Sequence, residues 1–453
     1  RYNPQSRTIL SVISLVSYVL TKVAVTVYAG GLVFQQVFGI KELWGIDFFW
    51  IAAIGLVVLT ALYTIFGGMK SVLYTSVLQT PILLLGSLII LVLGFKELGG
   101  WDEMMRVCGA VTVNDYGDTM TNLIRSNDDA NFPWLGALIG SAIIGFWYWC
   151  TDQFIVQRVL SGKNEMEARR GTIFGAYLKL LPVFLFLIPG MIAFALHQKY
   201  IGAGGEGFLP MLENGTANAD AAFPTLVAKL LPAGVKGLVV CGILAALMSS
   251  LASLFNSSAM LFTIDKRFRP QTSEKKLVGI GQVATVVIVI LGILWIPIMR
   301  SVGDVLYTYL QDVQSVLAPG IAAAFLLGIC WKRTSAQGGM WGLISGMVIG
   351  LTRLGAKVYY SNAGEVADST FKYLFYDMNW LFFCGWMFLF CIIVVIVVSL
   401  ATEAPTAEKI QGLVFGTATK EQKASTRASW NHWDIIHTVI ILAITGAFYW
   451  YFW

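Results

Sequence analysis

The chain has 453 residues, a formal net charge of +5, 57% hydrophobic residues and only 13% charged ones, with a mean hydropathy of +0.71. Soluble domains carry about twice that share of charge, so the composition excludes an ordinary globular domain and a disordered segment. It implies an all-α integral membrane protein, because no run shows the two-residue alternation of a lipid-facing barrel.

In chain order, eleven apolar segments of spanning length are predicted, centred near Val19, Val57, Leu85, Ile144, Phe184, Leu247, Ile288, Ala323, Gly346, Ile392 and Leu442. Basic residues mark alternate connections: Arg1 and Arg7, Lys70, Arg158 to Arg170, Lys266 to Lys276, Lys332 with Arg333, and Lys409 to Arg427. That side holds about twice the basic residues of the other and is assigned to the cytoplasm of a multi-pass protein of the plasma membrane, or of the inner membrane if the source is bacterial. The long polar connections from Lys96 to Pro133 and from His197 to Pro232 then lie outside, the second carrying a glycosylation sequon at Asn214. Breaks or bends are expected at Gly67 with Gly68, at Pro182 with Pro189, and at Pro319 with Gly320. The chain opens at Arg1, without a starting Met, one polar step before a membrane segment, so an upstream portion is expected to be missing. The six cysteines show no metal-ligand spacing and read as small packing residues.

Polar groups inside apolar segments are costly and therefore candidates for function. Lys22 comes first, with Tyr18 and Thr26 a turn away. The Trp147, Tyr148, Trp149 triplet points around a helix, so at least one ring faces protein, where it can stack on the C–H face of a sugar; an interfacial aromatic belt is the alternative for Trp147 and Trp149. Asp152 and Arg158 approach the cytoplasmic end. Lys179 is a further candidate, unless its ammonium snorkels to the interface. In the segment around Leu247, Ala246, Ser249, Ser250 and Ser253 share one face. Small residues and hydroxyl oxygens suit a hard cation such as sodium, and equally suit close helix packing. Tyr307, Gln311, Gln314 and Ser315 line a face of the segment around Ala323, with interhelix hydrogen bonding as the alternative for Gln311. No phosphate loop, HExxH or paired haem ligands occur, and only three His are present. Nothing suggests an enzyme, and no potassium filter or voltage sensor is present.

The runs from Phe146 to Arg158 (FWYWCTDQFIVQR), Tyr177 to Leu180, Leu247 to Ser257, Tyr309 to Gln311 and Trp331 to Arg333 resemble the sodium/solute symporter family, most of all its sodium/glucose cotransporter branch. The resemblance covers almost the whole chain, and Thr21 with Lys22 is similar to its animal members. It implies a single polytopic transporter domain over residues 1–453 with the LeuT-like inverted-repeat fold and extra helices. It also implies three missing N-terminal helices, which would carry half of each binding site. Carried over position by position, it implies sodium at Ala246, Ser249 and Ser250, and sugar-hydroxyl partners at Lys22, Lys179 and Gln311. Tyr148 would stack on the sugar as an inner gate, and Tyr307 would be an outer-gate aromatic. The implied activity is sodium-coupled import of a sugar, glucose or galactose, by alternating access, with the bilayer and no nucleic acid as further partners and no cofactor beyond sodium. Other solutes of the family, such as an inositol, sialic acid, an amino acid or an anion, are the alternative, and a membrane enzyme or sensor is a more distant one. Two positions depart from the family. Ser76 stands where an Asp is usual, which implies one sodium per sugar, and Gly145 replaces a Thr or Asn beside the sugar, which leaves the hexose open.

Overall fold

The computed structural model describes residues 1–212, 215–263, 273–302, 305–363 and 367–452, apart from side chains at 63, 65–73, 75, 76, 78, 274 and 299–302. Every apolar segment read from the sequence lies in a helix. The first forms α1 (Pro4–Ser17), a π-helical turn (Tyr18–Val23) and α2 (Ala24–Phe38). Asn3 caps α1 by accepting from the Ser6 N–H at 2.8 Å, with Pro4 at the first position, where its missing N–H costs nothing. A small hairpin, β1 (Glu42–Leu43) and β2 (Ile46–Asp47), turns at Trp44 and Gly45, both with positive φ, as its two-residue turn demands.

The Val57 and Leu85 segments are joined in α3 (Phe48–Leu98), which is helical through Gly67 and Gly68 and has Pro81 inside. The expected break at the two glycines is absent. Two glycines weaken a helix by about 1 kcal/mol each relative to Ala, and no Asn, Asp or Pro beside them offers the backbone an alternative turn. Then follow α4 (Trp101–Gly109), α5 (Trp134–Phe146), a second π turn (Trp147–Thr151), α6 (Gln153–Leu160), α7 (Glu165–Pro182), a third π turn (Val183–Leu187) and α8 (Ile188–Gly202). The remainder is α9 (Ala222–Leu230), α10 (Ala233–Thr263), α11 (Glu274–Val302), α12 (Leu306–Cys330), α13 (Ala336–Asn362), α14 (Thr370–Lys372) with a fourth π turn (Tyr373–Asp377), α15 (Trp380–Ala401), α16 (Lys420–Ala428) and α17 (His432–Tyr451). Pro182 thus yields a π turn, whereas Pro319 stays within an unbroken α12. Among the described residues nine helices are long and apolar enough to cross a membrane, and Phe48–Leu62 is a shorter apolar stretch. The helix around Gly346, α13, is not among the nine and carries Arg353 and Lys357 in its second half.

The chain divides into two compact units. The first comprises Arg1–Lys22, Arg125–Ile173 and Ser257–Ile440. Its centre is α12 against α13, α15 and α5. Here helices meet backbone to backbone, as small residues permit: a Cβ on Gly346 would stand 2.7 Å from the Gly320 Cα, so Gly320 serves packing where a bend was expected. Ile13, Ile144, Trp147, Leu381 and Cys384 fill the space around this contact.

The second unit comprises Val23–Ile124, Phe174–Asn256 and Ile441–Trp453. Phe34, Ile90, Leu98, Ile192, Leu196 and Val239 are in its core. Amphipathic α4 covers one side with Met104 and Cys108, whose thiol donates to the Met191 carbonyl at 3.7 Å. Burial pushes the Cys108 thiol up to about 11, so it remains a neutral packing group. The polar connection after α8 is ordered by buried His197, whose Nδ1 accepts the Leu209 N–H at 3.0 Å. Asn214 of the sequon lies outside the described residues.

Candidate substrate and cation sites

The π turn from Tyr18 to Val23 carries the first candidate. One extra residue in the turn changes which side chains share a face, and such single turns recur at functional sites. Tyr18, Thr21 and Lys22 are all buried here, Lys22 at 8% exposure. A second π turn ends at Asp152, which adopts extended backbone and caps α6, accepting from the Phe154 N–H at 3.1 Å. Asp at a helix start is favoured both as a cap and by the helix dipole. The two distortions meet. Lys22 Nζ forms an ion pair with Asp152, and the Tyr18 hydroxyl donates to the same carboxylate at 2.9 Å while accepting from the Phe154 N–H at 3.1 Å.

Asp152, read from the sequence as approaching the cytoplasmic end, is therefore buried beside Lys22 at 5% exposure. A charge so placed needs a counter-charge and hydrogen bonds to every lone pair it can reach, and this pair has both. Four rings surround the ammonium, with centroids 4.4 Å (Phe154), 4.8 Å (Tyr18), 5.1 Å (Tyr148) and 5.7 Å (Trp147) away. This is cation–π distance. The aromatic triplet is thus split: Trp147 is buried, Tyr148 half-buried over Lys22, and Trp149 exposed. Thr26 takes no part in the ion pair. Gly145 lies one turn before this site, and a Cβ there would meet open space.

Gln311 and Tyr307 lie on the first turns of α12, where the Gln311 amide donates to the Tyr307 hydroxyl at 3.2 Å. Tyr307 is exposed and Gln311 half-buried. Tyr309, between them, ties α12 to the first π turn by donating to the Leu20 carbonyl at 3.0 Å and accepting from the Trp295 indole at 2.6 Å. Gln157, on α6, donates to the Ser257 hydroxyl at 2.6 Å.

The remaining candidates belong to the second unit. Lys179 is exposed on α7, which has no buried residue. Ala246, Ser249 and Ser250 share a face of α10, Ser249 buried and the other two half-buried. Helix α10 is unbroken, so the Ala246 carbonyl offers only the second lone pair that any helical carbonyl keeps. Ser253 turns its hydroxyl back on the Ser249 carbonyl at 3.0 Å, a common helix back-bond. The side chain of Ser76 lies outside the described residues.

One buried cluster has no counterpart among the sequence candidates. Asp312 forms ion pairs with Lys357 and, at 3.7 Å, with Arg353. The longer contact is Coulombic rather than a hydrogen bond. Arg353 is fully buried, donates to the Leu374 and Met378 carbonyls at 3.3 and 2.7 Å, and has its guanidinium 4.1 Å from the Phe383 ring centre. The signal in the sequence is an acidic residue amid the apolar run of α12 and an Arg in α13.

The sodium:solute symporter family matches residues 1–346. Among curated proteins the chain is 36% identical to the human sodium/myo-inositol cotransporter 2 over 90% of the chain and 62% of that protein. It is 35% identical to the Bos taurus sodium/mannose cotransporter over 100% of the chain and 79% of that protein, and 35% identical to the Mus musculus sodium/glucose cotransporter 4 over 90% of the chain and 61% of that protein. The chain therefore spans about three-fifths of the length of two of these relatives. The solved structure of a substrate-bound, outward-open Na+-coupled sialic acid symporter shares the fold with a TM-score of 0.64 at 21% identity, covering 90% of this chain and 76% of the other. With a family match over residues 1–346 and relatives at 35–36% identity, the chain belongs to the sodium:solute symporter family.

Proposed function

We propose that this chain acts as a secondary active transporter that couples sodium entry to import of a sugar or polyol by alternating access, on a LeuT-like inverted-repeat framework. The observation that carries the substrate class is the half-buried Tyr148 ring beside the buried Lys22–Asp152 pair. A sugar presents an apolar C–H face and a ring of hydroxyls, which call for an aromatic surface next to fixed donors and acceptors. Relatives named for glucose, mannose and myo-inositol support that class, and glucose or galactose is the specific reading we favour. Myo-inositol is the second reading, favoured by the human relative at 36% identity.

In this reading Tyr148 stacks on the substrate, Gln311 and Lys22 hold hydroxyls, Lys179 keeps the role of a hydroxyl partner that the family resemblance implies, and Tyr307 closes the outer side. Sodium takes the Ala246 carbonyl and the Ser249 and Ser250 hydroxyls, one ion per substrate. Labelled glucose, galactose, mannose and myo-inositol are to be supplied to proteoliposomes of the full-length protein, with and without a sodium gradient. Uptake driven by sodium for at least one of the four is expected; uptake indifferent to sodium would overturn the coupling. Ser250→Ala removes one oxygen from a small coordination shell and should raise the sodium needed for half-maximal uptake about tenfold, roughly the loss of one hydrogen-bond-sized interaction. An unchanged sodium dependence would remove α10 from the ion site.

A further inference from the structure

We propose a binding site for one anionic phospholipid on the first unit, its acyl chain in an apolar groove along α11 and its phosphate on Lys276 and Lys275. The groove has a volume of about 560 Å³ and runs beside Leu15 of α1 and Phe262 of α10. Its floor is made by Ala284 and Ile288, both buried, and its walls by Phe262, Val283 and Val287, all exposed. Gly279 opens it further, since a Cβ there would meet nothing within 4 Å. Every lining side chain is apolar but one. Lys276 closes one end, and Lys275 is exposed next to it.

Three observations favour a lipid of this charge over hydrocarbon in general. The first is the sign of the charge at the end of the groove: Lys276 lines it and Lys275, its neighbour in sequence, is exposed as well. Exposed ammonium groups at the end of an apolar cleft suit an anionic headgroup. The second is length. From Lys276 to Ile288 α11 rises about 18 Å at about 1.5 Å per residue, close to one hydrocarbon leaflet of about 15 Å. The third is side: the basic connection before α11 is assigned to the cytoplasm by charge bias, and the cytoplasmic leaflet holds the anionic lipids. The mouth of the groove is also the N-terminal end of α11, where the helix dipole favours an anion.

The test uses the full-length protein, with phosphatidylglycerol and phosphatidylcholine of identical chains as probes and native mass spectrometry reading bound lipid per chain. One phosphatidylglycerol is expected to be retained in preference to phosphatidylcholine. The double variant Lys275→Gln, Lys276→Gln should weaken phosphatidylglycerol binding about 30-fold, roughly fivefold for each ammonium, and leave phosphatidylcholine unchanged. Gly279→Leu fills the groove from a helix that tolerates Leu, and should weaken both lipids while the protein stays folded. Equal retention of the two lipids, a charge-neutralised protein that keeps its preference, or a Gly279→Leu protein that binds as before would each overturn the site. Glycerol 3-phosphate binding as tightly as the whole lipid would also overturn it, reducing the site to one for free phosphate.

Discussion

Two buried ionic clusters in the first unit look alike by composition and differ in what surrounds them. Lys22 and Asp152 meet where two π turns interrupt their helices, with four aromatic rings and a tyrosine hydroxyl as neighbours. Asp312, Arg353 and Lys357 sit on two regular helices, and Arg353 spends its donors on the carbonyls around the fourth π turn. In the first cluster the backbone is distorted and the partners are side chains that rotate. In the second, Arg353 is held between the Asp312 carboxylate and two main-chain carbonyls that cannot turn away. Charge inside an apolar segment therefore does not by itself separate a working site from a clamp. The surroundings do, and each predicts a different failure when a charge is removed.

The largest effect is expected at the clamp. Arg353→Met leaves Asp312 with Lys357 alone and takes the donor away from the Leu374 and Met378 carbonyls, so a loss of about 3–5 kcal/mol of stability follows. The measurement is the yield and thermal midpoint of detergent-purified protein, and Arg353→Lys should recover only part of the loss because Lys lacks the planar fork. A stable Arg353→Met protein with impaired transport would reverse the comparison and make this cluster the working one.

Asp152→Asn tests the other cluster. It leaves the Lys22 ammonium among rings without a counter-charge, and uptake should fall by about a hundredfold while much of the fold survives, since rotatable neighbours can readjust. Lys22→Met combined with Asp152→Asn removes both charges together, and should be better folded than either single variant, because uncompensated charge is the costly state. If the double variant is no more stable than the sum of the singles, the two groups do not act as a pair.

The class of the fold is legible because a bilayer allows few solutions: eleven apolar runs were enough to specify helices, and each run is helical. The π turns are not legible, since one extra residue in a single turn leaves the apolar period nearly intact. Tyr18, read as sharing the face of Lys22, does lie against it, whereas Thr26 takes no part in the pair and Asp152 stands there instead. The partner was out of reach as well, 130 positions away in sequence. Asp312 and Arg353 carry the same signal as Lys22, an ionisable group within an apolar run, but Lys357 lies 45 positions from Asp312 and local spacing gives no hint of the pairing. Gly67 with Gly68 shows the opposite failure: a plausible break that the helix absorbs.

A smaller effect is expected at Gln311, on the same helix as Asp312 but half-buried near its start. Gln311→Ala removes a donor and an acceptor from a polar surface and should raise the apparent substrate constant tenfold to a hundredfold, roughly 1–3 kcal/mol. It should also flatten the preference among sugars that differ at one hydroxyl, because an unpaired amide no longer penalises the wrong one. Competition uptake with epimeric sugars checks this, and an unchanged ranking would confine Gln311 to its bond with Tyr307.

The smallest and most diagnostic change is Tyr18→Phe. The Tyr18 hydroxyl touches Asp152 without bearing charge, donating at 2.9 Å and accepting from the Phe154 N–H at 3.1 Å. Its loss leaves the ion pair and the ring over Lys22 in place, so stability should drop by only about 1 kcal/mol, the net worth of such a bond. Asp152 keeps its bond from the Phe154 N–H, at 3.1 Å, but gains freedom to swing, and substrate affinity should fall about fivefold if Lys22 and Tyr148 depend on a fixed carboxylate. The readout is the apparent substrate constant against the thermal midpoint. Affinity that moves while the midpoint barely does marks the first cluster as a positioned site; a midpoint that falls with affinity unchanged marks it as a second clamp.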